Sequence, residues 1–78
     1  MTIVQAVASR LEQIMSEKGL TQYRVYKLSG VAQSTLSEIL HRQSKSINLV
    51  TIYEITDGLE MELEDFFNSP LFKRENID

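Results

Sequence analysis

The chain has 78 residues, of which 42% are hydrophobic and 24% charged, with a formal net charge of −3 and no cysteine. That length fits one small domain with little room for a deep catalytic pocket, and the mix of apolar and charged residues excludes wholesale disorder. Without cysteine there is neither a disulfide framework nor a thiolate metal site, which suits a reducing cytoplasm and leaves the apolar core to supply the stability.

In chain order, the opening MTIVQAVASR has no basic segment leading into an apolar run. Nowhere do apolar residues approach the roughly eighteen of a membrane span, so neither secretion nor membrane insertion is expected. Thr2 with Gln5 forms a capping-box start, and Val4, Val7, Ala8, Leu11, Ile14 and Met15 make one apolar stripe on a helix of about four turns. Gly19 ends that helix as a left-handed cap. Thr21 is the hydroxyl cap of a second helix that runs to about Ser29, with Val25 and Leu28 on its apolar side. Gly30 supplies the turn, and a third helix starts near Ala32 or Gln33 and ends near His41, with Leu36, Ile39 and Leu40 facing inward. Residues 42–47 are polar and aperiodic, which reads as a surface loop. Asn48 then caps a fourth helix with Leu49, Ile52, Tyr53, Ile55 and Leu59 as its apolar face. A short fifth helix, about Glu62 to Asn68, carries Leu63, Phe66 and Phe67 and stops at Ser69 because Pro70 disfavours helical geometry in the residue before it. The domain is thus expected over 1–69, with 70–78 as a short tail. No strand-like alternation, repeat or low-complexity stretch is present.

The stretch from Gln22 to Leu40 is a helix, a tight glycine turn and a second helix, a unit whose use is to lay its second helix in the major groove of DNA. The negative net charge opposes that use until the chain is divided. Residues 1–46 carry six basic and three acidic residues, a net +3, whereas residues 47–78 carry two basic and eight acidic, a net −6. A polyanion responds to the field within about 8–10 Å, so the sign of the facing surface outweighs the total.

The order of elements, with Leu20-Thr21-Gln22, Ser29-Gly30-Val31, Gln33 to Leu36, Ile39-Leu40, Asn48-Leu49, Thr51 to Ile55, Gly58-Leu59 and Leu63 to Phe67, resembles the Cro and lambda-repressor-like helix-turn-helix family. The likeness spans about residues 4–67. It implies an all-α, compact five-helix domain with the helix-turn-helix at helices 2 and 3. It also implies base contacts from the start of the third helix, here Gln33, Ser34, Ser37 and Glu38. Gln pairs with the N6/N7 edge of adenine, Ser bonds several bases, and Glu accepts from the cytosine amino group or repels phosphate at poor sites. A phosphate contact is implied for Gln22, at a helix N-terminus whose amides and dipole favour an anion. Tyr23, Thr35, Arg42, Lys45 and Asn48 are its candidate companions, with Lys27 and Arg10 as weaker ones. Without the resemblance, each of these is equally an ordinary solvated side chain.

Several positions depart from the family pattern. The family's ion pair between the first and third helices falls on Met15 and Leu40, both apolar, so these two are expected to touch. Tyr26 stands where a small residue lets two helices cross closely, and either the ring lies outward or the helices spread. Ala32 replaces a capping Ser or Thr, a loss of about 1 kcal/mol. Arg42 replaces a frequent Gly.

One recognition helix reads few base pairs, so a two-fold homodimer is expected. Phe66, Phe67, Leu71 and Phe72 are its candidate contacts, unless they close the core of the monomer. A lone histidine, no cysteine and no phosphate-cradling glycine loop leave no enzyme reading, and the acidic cluster Glu60, Glu62, Glu64 and Asp65 lacks calcium-loop spacing. The expectation is therefore a cytoplasmic, cofactor-free regulator, a repressor, that binds double-stranded DNA and neither a membrane nor a small-molecule substrate. The rival is a protein-interaction module of antitoxin or anti-regulator type, whose acidic C-terminal half binds a regulatory partner protein.

Overall fold

The computed structural model describes all residues, 1–78. Five helices, α1 (Ile3–Lys18), α2 (Gln22–Ser29), α3 (Gln33–Leu40), α4 (Leu49–Gly58) and α5 (Leu63–Phe67), are followed by 3₁₀ turns at Pro70–Phe72 and Arg74–Asn76, and there is no strand. The all-α, five-helix reading of the sequence is the observed architecture. No helix is long and apolar enough to cross a membrane.

Local chemistry starts and stops these helices. Thr2 and Gln5 bond each other's backbone amides at 2.9 and 3.1 Å, the reciprocal capping box. Thr21 accepts from Arg24 N and Asn48 from Val50 N, so α2 and α4 begin on side-chain caps. Gly30 turns the chain between α2 and α3 at φ 77°, in the left-handed region that a side chain disfavours. Leu11, Ile14, Val25, Leu36, Ile39, Ile55 and Phe66 then meet in one core. Met15 and Leu40 both lie half-buried against it.

α4 is rotated differently from the expected face. Ile52, Ile55 and Leu59 are buried as predicted, but Leu49 is 63% and Tyr53 54% exposed, and Thr56 takes an inward place at 1%. Gly58 gives the reason: a Cβ there would lie 2.6 Å from both the Leu28 carbonyl oxygen and Ser29 Cα. α4 therefore presses its C-terminal turn on the backbone of α2, which fixes its rotation. Thr56 tolerates burial because its hydroxyl donates to the Tyr53 carbonyl at 3.0 Å. Leu28, expected on the inner side of α2, is 40% exposed.

The C-terminal aromatics close the monomer. Phe66 is only 2% exposed, with its ring centroid 5.1 Å from that of Phe67 and 6.1 Å from that of Phe72, while Phe67 and Phe72 lie 5.0 Å apart. Arg10, far from serving a phosphate, donates from Nε to the Phe66 carbonyl at 2.7 Å and from Nη2 to the Asp65 carbonyl at 2.8 Å. It thereby satisfies the C-terminal carbonyls of α5 and ties that helix to α1. As a dimer contact Phe66 is corrected, because its side chain has no free surface; Phe67, Leu71 and Phe72 are half-buried around it. The tail continues back over the molecule until Asp78 N donates to the Met1 carbonyl at 2.8 Å.

Candidate nucleic-acid interface

α3 has two unlike faces. Leu36 and Ile39, at 0% and 1% exposure, anchor its inner side and thereby aim the opposite side outward. Gln33, Ser34 and Glu38 are exposed there, with Thr35 and Ser37 half-buried at the margins. The sequence-predicted base readers thus share one helix face.

Ser37 is less free than the others. The His41 Nδ1 atom lies 2.8 Å from the Ser37 carbonyl oxygen and 3.1 Å from its Oγ. A carbonyl only accepts, so Nδ1 carries the proton and Nε2 is left open at the end of α3. His41 was not among the predicted contacts; its only signal was its four-residue spacing from Ser37.

The N-terminus of α3 is open in a way that those of α2 and α4 are not. Ala32 makes no side-chain cap, and the first amide of the segment with a partner is Leu36 N, to the Ala32 carbonyl. The amides of Gln33, Ser34 and Thr35 remain without one, at the positive end of the helix dipole. Gln22 reaches across from α2 and donates from Nε2 to the Gln33 carbonyl at 3.1 Å, so the two N-termini converge. The side-chain oxygen of Gln22 has no partner within the chain.

Tyr26 packs its ring along the edge of the core. It lies half-buried beside Tyr23, centroids 5.9 Å apart, while Val25 at 0% exposure closes the crossing beneath. Lys27 Nζ stands 5.8 Å from the Tyr23 ring centroid and 5.9 Å from that of Tyr26, within cation–π range. Tyr23 itself is 52% exposed.

Arg42 bonds groups within the chain. It takes the left-handed conformation, φ 56°, at the position where Gly was expected. Its guanidinium donates to the Leu40 carbonyl at 2.6 Å, to Ser9 Oγ at 3.2 Å and to Glu12 Oε1 at 2.7 Å. It thereby ties the end of α3 to α1 while remaining exposed to solvent. The bond holds the Glu12 carboxyl below the usual carboxylate range and raises the guanidinium. An ion pair between α1 and the end of α3 is therefore present, with the acid on α1, beside the apolar Met15 and Leu40.

Beyond Arg42 the loop meets α3 and α4 in a cleft of about 240 Å³ that brings Thr35, Glu38 and Asn48 together with Ser44, Ser46 and Thr51. Ser44 and Ser46 were not singled out in the sequence, where their alternation about Lys45 was the available signal, and Thr51 entered only through the family resemblance. Lys45 is exposed between them and pairs with no carboxylate. Asn48 spends its Oδ1 on capping α4, which leaves its amide nitrogen for other partners. No three His, Cys, Asp or Glu side chains converge as a metal site would need.

An outward helix face, an open helix start and a rim of small donors form a surface suited to a nucleic-acid duplex. Comparison with known families agrees, since the sequence model of the Cro/C1-type HTH DNA-binding domain matches residues 10–70. The chain belongs to that Cro/C1-type helix-turn-helix DNA-binding family. No curated protein and no solved structure matches it. The match begins part-way along α1 and includes α2 through α5, so the helix-turn-helix of α2 and α3 lies inside it.

Proposed function

We propose that this Cro/C1-type domain is a sequence-specific transcriptional regulator, a repressor, that reads operator half-sites as a homodimer with α3 in the major groove. One observation carries the reading: Gln33, Ser34 and Glu38 share the exposed face of a helix whose first three amides have no partner. Gln33 offers its amide to an adenine edge, Ser34 a hydroxyl, and Glu38 an acceptor for a cytosine amino group. Ser37 contributes with its hydroxyl shared with His41. The free amides of α3, Gln22, Tyr23, Thr35, Lys45 and Asn48 hold the flanking phosphates. Arg42 acts through the α1 clamp that fixes α3. The unit proposed to act is 1–69 with its tail folded on it, in the cytoplasm. A regulator of this kind represses by occupying an operator that overlaps a promoter.

Selection of bound sequences from a random duplex pool tests this directly. A palindromic consensus is expected, and Gln33→Ala should lose about 1–3 kcal/mol on it while relaxing preference at one position of each half-site. With Lys45 and Lys27 counted as the phosphate-facing cations and Arg42 paired to Glu12, log K should fall with log salt at a slope of about −2 per half-site. If no duplex is shifted at low salt, the proposal is wrong.

A further inference from the structure

We propose that the outer face of α4 is where a second copy of this chain docks, and that the C-terminal tail is not. This rests on the reading of the chain as a DNA-binding homodimer and names the surface that makes it one. Leu49, Val50 and Tyr53 are 63%, 62% and 54% exposed, and their spacing sets all three on one side of α4. Beside this ridge runs a wholly apolar groove of about 120 Å³, lined by Ile3, Val4, Ile47, Ile52 and Phe67 among others. Ile52 belongs to both regions, lining the groove one turn after Leu49 and next to Tyr53. A ridge and an adjacent groove on one chain are what a two-fold, self-complementary contact requires, since each copy offers both.

Charge selects the orientation. Beyond Tyr53 the same face of α4 carries the exposed Glu54 and Asp57. An antiparallel α4 pair, with the axis passing between Val50 and Tyr53, sets these carboxylates toward the positive end of the other copy's α4 dipole. A parallel pair would stack acid on acid. The area matters equally: such a patch is on the order of 500 Å² per copy, roughly 1,000 Å² for the pair, below the about 1,200–2,000 Å² of stable interfaces. The free chain is then monomeric at micromolar concentration and pairs on DNA, where two adjacent half-sites raise the local concentration. α4 also lends Thr51 to the cleft formed with α3, the loop and Asn48, so a pair on α4 lies close to that cleft.

The experiment uses the full chain with the selected duplex, cut either to one half-site or to both, and with sedimentation of the free chain up to millimolar concentration. Val50→Glu should fold, because Val50 is exposed and an acidic residue in the first turn of a helix is favourable. It should bind the single half-site within twofold of wild type, lose at least tenfold on the double site together with its cooperativity, and abolish the weak dimer of the free chain. The chain lacks cysteine, so Val50→Cys supplies the only thiol. A short bis-maleimide should trap this variant as a dimer but leave Lys73→Cys, in the tail, monomeric. Unchanged cooperativity in Val50→Glu, or trapping through Lys73→Cys instead of Val50→Cys, overturns the inference. Failure of the wild-type chain to bind the single half-site counts against DNA reading; the dimer surface is then decided by sedimentation and cross-linking of the free chain. A wild-type chain that stays monomeric at millimolar concentration and is not trapped through Val50→Cys overturns the surface as well.

Discussion

Two concentrations of apolar residues in the second half of the chain meet opposite fates. Phe66, Phe67 and Phe72 fold together, with Phe66 at 2% exposure, whereas Leu49, Val50 and Tyr53 on α4 stay more than half exposed. Both groups are rich enough in apolar area to close a core or to form a contact. What separates them is backbone geometry. Arg10 pulls the end of α5 onto α1 through two carbonyls, and Gly58 lets α4 approach α2 until no rotation can bury its outer face. Apolar character selects candidates for burial, and the fixed approach of the helices decides among them.

The most damaging substitution in either group is Phe66→Ala. Removing a fully buried ring should cost about 3–5 kcal/mol, against a total stability on the order of 4–12 kcal/mol for a domain of this length. Urea unfolding should show a marginal or lost transition; a variant as stable as wild type would place the ring outside the core. Gly58→Ala comes next, at about 1–3 kcal/mol, because the added methyl meets the backbone of Leu28 and Ser29, which cannot step aside as a side chain could. If α4 is released to rotate, Tyr53 becomes less accessible, which nitration mapped to each of the three tyrosines would report.

Arg10→Ala should cost about 1.5–3 kcal/mol, since it leaves two carbonyls at the end of α5 without their charged donor. Amide exchange should quicken in α5 before α1, and a uniform change would deny Arg10 its role as the tie.

How much of this was legible in the sequence follows from the range over which each cause acts. Thr2–Gln5, Thr21, Gly30 and Asn48 act within three or four residues, and helix starts and turns stood where these residues predicted. The identity of α3's outer face was equally local, because Leu36 and Ile39 fix it. The rotation of α4 was not, because it depends on Gly58 meeting Leu28 and Ser29 across a gap of about thirty residues, and periodicity counted Tyr53 and Leu49 with Ile52. The tasks of Arg10 and Arg42 were hidden likewise: a basic residue looks alike whether it faces a phosphate, a carbonyl 56 residues away or a carboxylate 30 residues away. Composition placed positive charge in the first half of the chain, but Arg10 and Arg42 already bond groups within the fold.

The Glu12–Arg42 pair predicts a smaller effect with a defined sign. The folded state holds the Glu12 carboxyl below its ordinary range, so it binds fewer protons than the unfolded chain. The pair's contribution is therefore present above the ordinary glutamate pKa, near about 4.3, and is lost as pH falls through the lower folded value. Because Glu12's side chain is 53% exposed, the magnitude is that of a surface pair, about 0.2–1 kcal/mol. Glu12→Gln should remove that part of the acid sensitivity and leave neutral-pH stability slightly lower. If the two acid-unfolding profiles superimpose, the clamp contributes nothing to the folded state.

The smallest effect is expected where the apolar side chains are most exposed. Leu49→Ser and Tyr53→Ser should each change the monomer's urea midpoint by less than about 0.5 kcal/mol equivalent, because neither position has a void to open or a buried partner to orphan. Set beside Phe66→Ala, this is a near tenfold difference between residues that hydrophobicity alone ranks together. It also separates a face held for another molecule from one that merely failed to be buried. In the first case the serine variants keep the monomer's stability and weaken its pairing on the double site. In the second they change neither, and a midpoint shift near that of a core residue would mean that α4 turns inward in solution.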